Sequence, residues 1–293
     1  MNVLTEPLLY GFMQRGMLAA VMVGILCAVV GCYVVLRGMA YLGDAMAHAI
    51  LPGIAIAYLL KGEILVGALA AGIVVALGIG FLTRRGTIKE DTAIGILFAA
   101  TLSLGVALIS TIKTYALDLT HILFGNVLGV SETDLAVIAL LSAGVLLVII
   151  LLYKELLVVS FDAVLAATLR LPTELLKHLL LILIAIVVVV SLQTVGVGLV
   201  AAMLVTPAAT AYLLTRRLPS MMLVAALLGA AASVIGLYLS YYLNIVSGAA
   251  IVLTATGFFF LAYLFAPARG LVWHLQARRK HAARASDAAV PSE

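Results

Sequence analysis

The sequence predicts an all-α polytopic membrane protein of about eight or nine transmembrane helices, and three observations carry that prediction. Of the 293 residues, 65% are hydrophobic and only 10% charged, where soluble domains devote roughly a quarter of their residues to charge; mean hydropathy is +1.27. Uncharged stretches of about 20 residues, the length that crosses a bilayer, recur from one end of the chain to the other. Charges fall in the connections, and of the 17 Lys and Arg all but Arg15, Lys61 and Lys113 lie on one side of the resulting layout. That bias orients a chain in a lipid bilayer, so the net charge of +4 does not imply a nucleic-acid partner.

Residues 1–14 hold Pro7 and a mixed apolar and aromatic run suited to the membrane interface. A first span over 16–36 is closed by Arg37; within it Cys27 and Cys32, five apart and on different helix faces, read as small core hydrophobes. A second span runs from near Arg37 to Leu60 and a third over 64–83, ending at Arg84-Arg85. Lys89-Glu90-Asp91 forms a polar hinge before a fourth span over 92–112. Lys113, Asp118 and His121 mark an aqueous face, and the apolar stretch 122–130 is too short to cross, which predicts a short interfacial or re-entrant helix. A fifth span covers 135–153.

The polar stretch 154–178 is the longest internal connection, with a helix-forming apolar segment at 163–169 inside it. Residues 179–215 carry no charge and are long enough for two short spans, with reversal at 193–198 and closure at Arg216-Arg217. Residues 221–268 hold two more, turning at 244–248. The chain thus divides into one transmembrane domain, 1–268, and a basic tail, 269–293, partly disordered. An odd number of spans places the tail and the 154–178 stretch in the cytoplasm and the N-terminus outside.

Candidate chemistry centres on Asp44 and His48, because ionisable groups inside a span are expensive and mark function. Four residues apart, they project from one helix face. Pro52 lacks a backbone donor and Gly53 a side chain, so the helix can bend beyond the pair and free carbonyl oxygens. Counted at about 1.5 Å per residue from Arg37, Asp44 lies roughly 10 Å and His48 roughly 16 Å deep, near the middle of the core. Carboxylate and imidazole suit manganese, iron or zinc as a passing cargo, with no permanently bound cofactor. A buried polar tie between helices and a proton relay in a proton-coupled secondary cation transporter are the alternatives for the same pair. Thr206-Pro207 offers a second backbone opening, or a simple kink. The glycines at 24–31 and 67–80 permit close helix packing. Phosphate-loop, metalloprotease-helix and nucleophile-elbow motifs are absent from the sequence, so the chain reads as a non-enzyme and any ATPase must be a separate chain.

Several stretches, in this order, resemble the membrane permease subunits of bacterial ABC importers for zinc, manganese and iron, the ABC-3 family. They are Val34-Val35-Leu36-Arg37, Leu42-Gly43-Asp44-Ala45-Met46-Ala47-His48-Ala49-Ile50-Leu51-Pro52-Gly53, Glu90-Asp91-Thr92-Ala93-Ile94-Gly95-Ile96, Leu123-Phe124-Gly125-Asn126, Phe161-Asp162, Ala202-Met203-Leu204-Val205-Thr206-Pro207-Ala208-Ala209-Thr210-Ala211 and Ser247-Gly248-Ala249. The resemblance covers about 11–266. It implies a bacterial inner-membrane location, a paired or homodimeric permease, a cytoplasmic ABC ATPase dimer and an extracytoplasmic metal-binding protein. It also implies a metal site at Asp44 and His48, a pathway past Thr206, Pro207 and Pro52, and ATPase coupling through Phe161, Asp162, Ala166, Leu169, Leu171 and Pro172. Manganese is the favoured cargo, with zinc or iron as alternatives.

Overall fold

A computed structural model describes residues 6–84, 86–111 and 127–266. Lys113, Asp118, His121, most of the 122–130 segment and the basic tail fall outside the described residues. Twelve α-helices and two 3-10 turns make up the described structure, and it contains no strand. The helices are α1 (Gly11–Leu36), α2 (Leu42–Ala49), α3 (Leu51–Leu59), α4 (Ile64–Thr83), α5 (Glu90–Ser110), α6 (Glu132–Leu151), α7 (Tyr153–Phe161), α8 (Ala163–Thr168), α9 (Thr173–Val195), α10 (Val197–Leu214), α11 (Leu218–Leu243) and α12 (Ser247–Phe265). Among the described residues eight stretches are long and apolar enough to cross a membrane, counting α2 with α3 as one; α10 is a shorter apolar helix.

Close approach of glycines sets the packing. With no water-driven force between helices inside lipid, van der Waals contact at small residues holds them together. Gly24 of α1 faces Gly229 of α11, where an added Cβ would sit 2.8 Å from the Gly229 carbonyl, and Ser233 Oγ donates to the Ala20 carbonyl beside it at 2.9 Å. Gly31 of α1 lies against the backbone of Leu204 in α10, and Gly53 of α3 against Gly67 of α4. Gly80 makes room for the His178 ring, whose Nδ1 lies 2.6 Å from the Glu174 carbonyl.

These contacts also fix direction. Tyr10 meets Tyr241 (ring centroids 6.4 Å apart) while Ala20 meets Ser233, so α1 and α11 are antiparallel. The end of the bundle where α1 stops collects Arg37, Arg84, Lys89 and Lys177, because Arg37 pairs with Glu90 and one polar pocket joins the end of α4 to the starts of α5 and α9. Arg15 and Glu132, 3.5 Å apart, mark the opposite end. Since α9 starts and α10 finishes at the basic end, the chain reverses between them. The reversal falls on Gly196, at φ 80° and ψ 164°, a conformation open essentially to glycine alone.

Three sequence expectations shift. The first span begins at Gly11, five residues early, because Tyr10 and a 3-10 turn at Pro7–Leu9 dock beside α11 and Gln14 Nε2 donates to the Leu8 carbonyl at 2.6 Å. The stretch 154–178 is mostly helix rather than loop: α7, α8 and the first turns of α9 occupy it. The second span is not a continuous helix from Arg37. Gly38, at φ +73°, turns the chain, α2 starts only at Leu42, and Ile50 separates α2 from α3.

At α6, Ser131 Oγ accepts from the Asp134 N–H at 3.1 Å while Asp134 Oδ2 accepts from the Ser131 N–H at 3.0 Å, a reciprocal cap. Ser131→Ala is expected to lower stability by about 1 kcal/mol, read as an earlier thermal unfolding of the detergent-solubilised protein with transport retained.

Candidate functional site

Leu42 to Leu59 forms one crossing broken near its middle, and the break is local chemistry. In a continuous helix the residue-52 N–H would bond the His48 carbonyl; Pro52 has none. The chain responds by ending α2 at Ala49 and restarting at Leu51, with Pro52 buried in the first turn of α3, where its missing donor is harmless. The His48 carbonyl instead accepts from the Ile50 N–H. The bend expected just beyond the pair lies at Ile50, two residues before Pro52.

Asp44 and His48 do share a face. His48 Nε2 lies 3.7 Å from Asp44 Oδ1, too long for a hydrogen bond and short enough for both to touch one ion. The His48 side chain is 24% exposed and that of Asp44 53%. The His48 ring meets Phe98 of α5 edge-on at 5.8 Å between centroids. Asp44 lines a cleft of about 280 Å³ together with Tyr41, Ala45, Asp91, Ile94, Gly95 and Phe98. Asp91 is thus a second carboxylate on the cleft that sequence reading left in a hinge. Its position in the first turn of α5, level with Asp44 in the first turn of α2, was the available signal.

Although residues 37–41 turn instead of rising, the pair is not shallow. Gly43 packs on Ala201 and Leu204 of α10, while Gly31, five residues before the end of α1, packs on Leu204 and Ala208. Because α10 runs toward the basic end, Asp44 stands at least as deep as Gly31, about 8 Å from the end of α1, and His48 about 6 Å deeper.

Pro207 lies inside α10, and the Thr206 carbonyl accepts from Thr210 Oγ at 2.7 Å, so a threonine hydroxyl occupies one oxygen near the proline. Ala208 packs against Gly31. This part of α10 is thereby wedged on α1 and does not line the cleft of Asp44.

At the basic end, Asp162 caps α8 by accepting from the Val164 and Leu165 N–H groups, each at 2.9 Å. Phe161, at the end of α7, Val164 and Leu165 of α8, and Leu169, just past it, are exposed and together form an apolar ridge. Ala166, expected on this ridge, is fully buried: it faces the opposite side of α8, and so cannot touch a partner. Leu171 is half-buried against the core, Pro172 is exposed, and Arg170 takes a left-handed φ of +54° where the chain turns into α9. Val164 and Leu165 belong to the helix expected to couple, but the sequence does not single them out within it.

A bundle of this kind, with an ionisable pair at a break within one crossing and an apolar ridge at its basic end, is the architecture of a membrane transport protein. The ABC 3 transport family pattern matches residues 9–266. The chain belongs to that family of transport permeases. It is 48% identical over 267 residues to the manganese transport system membrane protein MntC of Halalkalibacterium halodurans, covering 91% of each chain. It is 42% identical to a probable iron transport system membrane protein of Haemophilus influenzae, covering 91% of this chain and 98% of the relative. Among solved structures it resembles PsaBC from Streptococcus pneumoniae in complex with Fab, with a TM-score of 0.79 and 42% identity, covering 89% of this chain and 94% of that one.

Proposed function

We propose that the chain is the membrane subunit of an ATP-driven importer of a divalent transition metal ion, manganese ahead of zinc or iron, with Asp44 and His48 as its transient ligands. The observation that carries this reading is a carboxylate and an imidazole on one face of α2, one turn apart, beside a break within a crossing, with the carboxylate opening on a cleft. Oxygen and nitrogen donors suit all three metals. The name of the Halalkalibacterium relative favours manganese, and the Haemophilus relative keeps iron in view. Two ligands hold an ion weakly, as passage requires.

A carboxylate 53% exposed on a membrane-spanning helix cannot face lipid without great cost. Only 17% of α5, the other wall of the cleft, is buried within this chain. Both facts support a second copy covering this face, so that two Asp and two His meet across a two-fold axis. The cation bias puts the basic end in the cytoplasm, the tail with it, and the N-terminus outside a bacterial inner membrane. The ridge of Phe161, Val164, Leu165 and Leu169, held by the Asp162 cap and flanked by Leu171 and Pro172, then meets a cytoplasmic ABC ATPase dimer. An extracytoplasmic metal-binding protein delivers the ion at the opposite end. Pro52 marks where the second crossing yields.

The test is uptake of radioactive manganese by vesicles holding the permease, its ATPase and its binding protein. Uptake is expected to require ATP and to persist when the proton gradient is collapsed. Uptake that needs the gradient and no ATPase would make Asp44 and His48 a proton relay instead.

A further inference from the structure

Arg37 and Glu90 do not line the cleft of Asp44, yet the fold joins them across 53 positions of sequence: Arg37 Nη2 donates to Glu90 Oε1 in an ion pair. The Arg37 side chain is only 7% exposed and Glu90 30%. A guanidinium so enclosed depends on its carboxylate, since removing either partner leaves an uncompensated charge. Arg37 Nη1, moreover, is buried with no hydrogen-bond partner among the described residues. Glu90 therefore satisfies only part of the guanidinium's hydrogen-bonding capacity.

Two separate volumes open beside the pair. One is the cleft of Asp44, to which α5 contributes Asp91, Ile94, Gly95 and Phe98. The other is a pocket of about 240 Å³ at the basic end, lined among others by Glu90 itself, Arg84, Lys89, Glu174, Lys177 and His178. Consecutive residues of α5 thus face the two volumes. The two partners also differ in how firmly they are set. Arg37 ends α1, with 67% of its span buried, whereas Glu90 begins α5, with 17% buried, after a short connection containing Gly86 at φ +68°.

We propose that the Arg37–Glu90 pair is the latch on the cytoplasmic side of the ion path. Closed, it clamps the start of α5 to the enclosed end of α1 and separates the cleft from the basic-end pocket. Opened, it lets α5 swing on the Gly86 connection and joins the two volumes, so the ion leaves past Asp91. Arg37 and Glu90 are positioning residues in this scheme and do not ligate metal. The proposal rests on the transport reading above.

The test uses the reconstituted complex with Cys27 and Cys32, both buried, replaced by alanine, and carrying Arg37→Cys with Glu90→Cys. A short bis-methanethiosulfonate linker re-creates the tie as one that cannot open. ATP-driven manganese uptake is expected to fall at least about tenfold on linking and to return on reduction, with either cysteine alone insensitive to the reagent. Independently, Glu90→Gln is expected to lower ions moved per ATP hydrolysed by at least about fivefold, and Arg37→Glu with Glu90→Arg to recover most of that loss. Linked protein that transports at the unlinked rate overturns the latch, as does a charge swap without recovery in variants that assemble with the ATPase. Absence of ATP-driven uptake in the parent would instead overturn the transport reading.

Discussion

Gly31→Ala is expected to prevent the bundle from assembling, and it is the largest stability effect anticipated for a single added methyl group. The Cβ would land on the Leu204 carbonyl of α10, inside any real contact distance, with the Ala208 side chain 3.4 Å away. A flexible side chain could swing aside; a helix backbone cannot, and α1 is held from its other faces by α11 and α9. The usual overpacking penalty of about 1–3 kcal/mol is therefore a lower bound. Loss of folded protein should appear as aggregation on size-exclusion chromatography and rapid proteolysis in membranes. Gly144→Ala, on an open face of α6 with nothing within 4 Å of the new Cβ, is the control, and there alanine should be neutral or gain up to about 1 kcal/mol from helix propensity. Equal behaviour of the two variants would refute the crossing between α1 and α10.

The contrast shows what the sequence made readable. Uncharged runs ended by Arg or Lys marked the crossings because bilayer thickness and the cost of charge act on composition alone. Asp44 and His48 were visible for the same reason, and their shared face followed from a four-residue spacing. What stayed hidden depends on tertiary contacts. The start of α2 at Leu42 reflects the turn at Gly38. Ala166 and Val164 are both small apolar residues of α8, and only packing against the rest of the chain separates the buried one from the exposed one. The contact of Arg37 with Glu90 joins two short motifs that one sequence gives no reason to pair. Asp91 looked like a loop charge until α5 brought it level with Asp44.

Metal uptake is expected to collapse in Asp44→Asn and in His48→Gln, by at least about tenfold each, the scale on which even outer-shell partners of a metal affect its binding. Both substitutions keep size and polarity, so they isolate donor strength and charge. Asp44→Asn removes the one anionic donor of the pair, and the amide oxygen that remains is a poor match for a dehydrated divalent cation. His48→Gln loses the imidazole nitrogen and its edge contact with Phe98. Neither side chain makes a hydrogen bond to the other, since 3.7 Å is too long, and both are partly exposed, so folding and assembly with the ATPase should survive. That separates the two roles weighed for this pair. A tie between helices would show as lost stability with transport reduced only in proportion to the protein remaining. A ligand pair would show as intact, ATP-hydrolysing complex that moves no manganese, and as a loss common to zinc and iron. Uptake within twofold of the parent in both variants would exclude Asp44 and His48 from the ion path and leave Asp91 as the carboxylate of the cleft to test next.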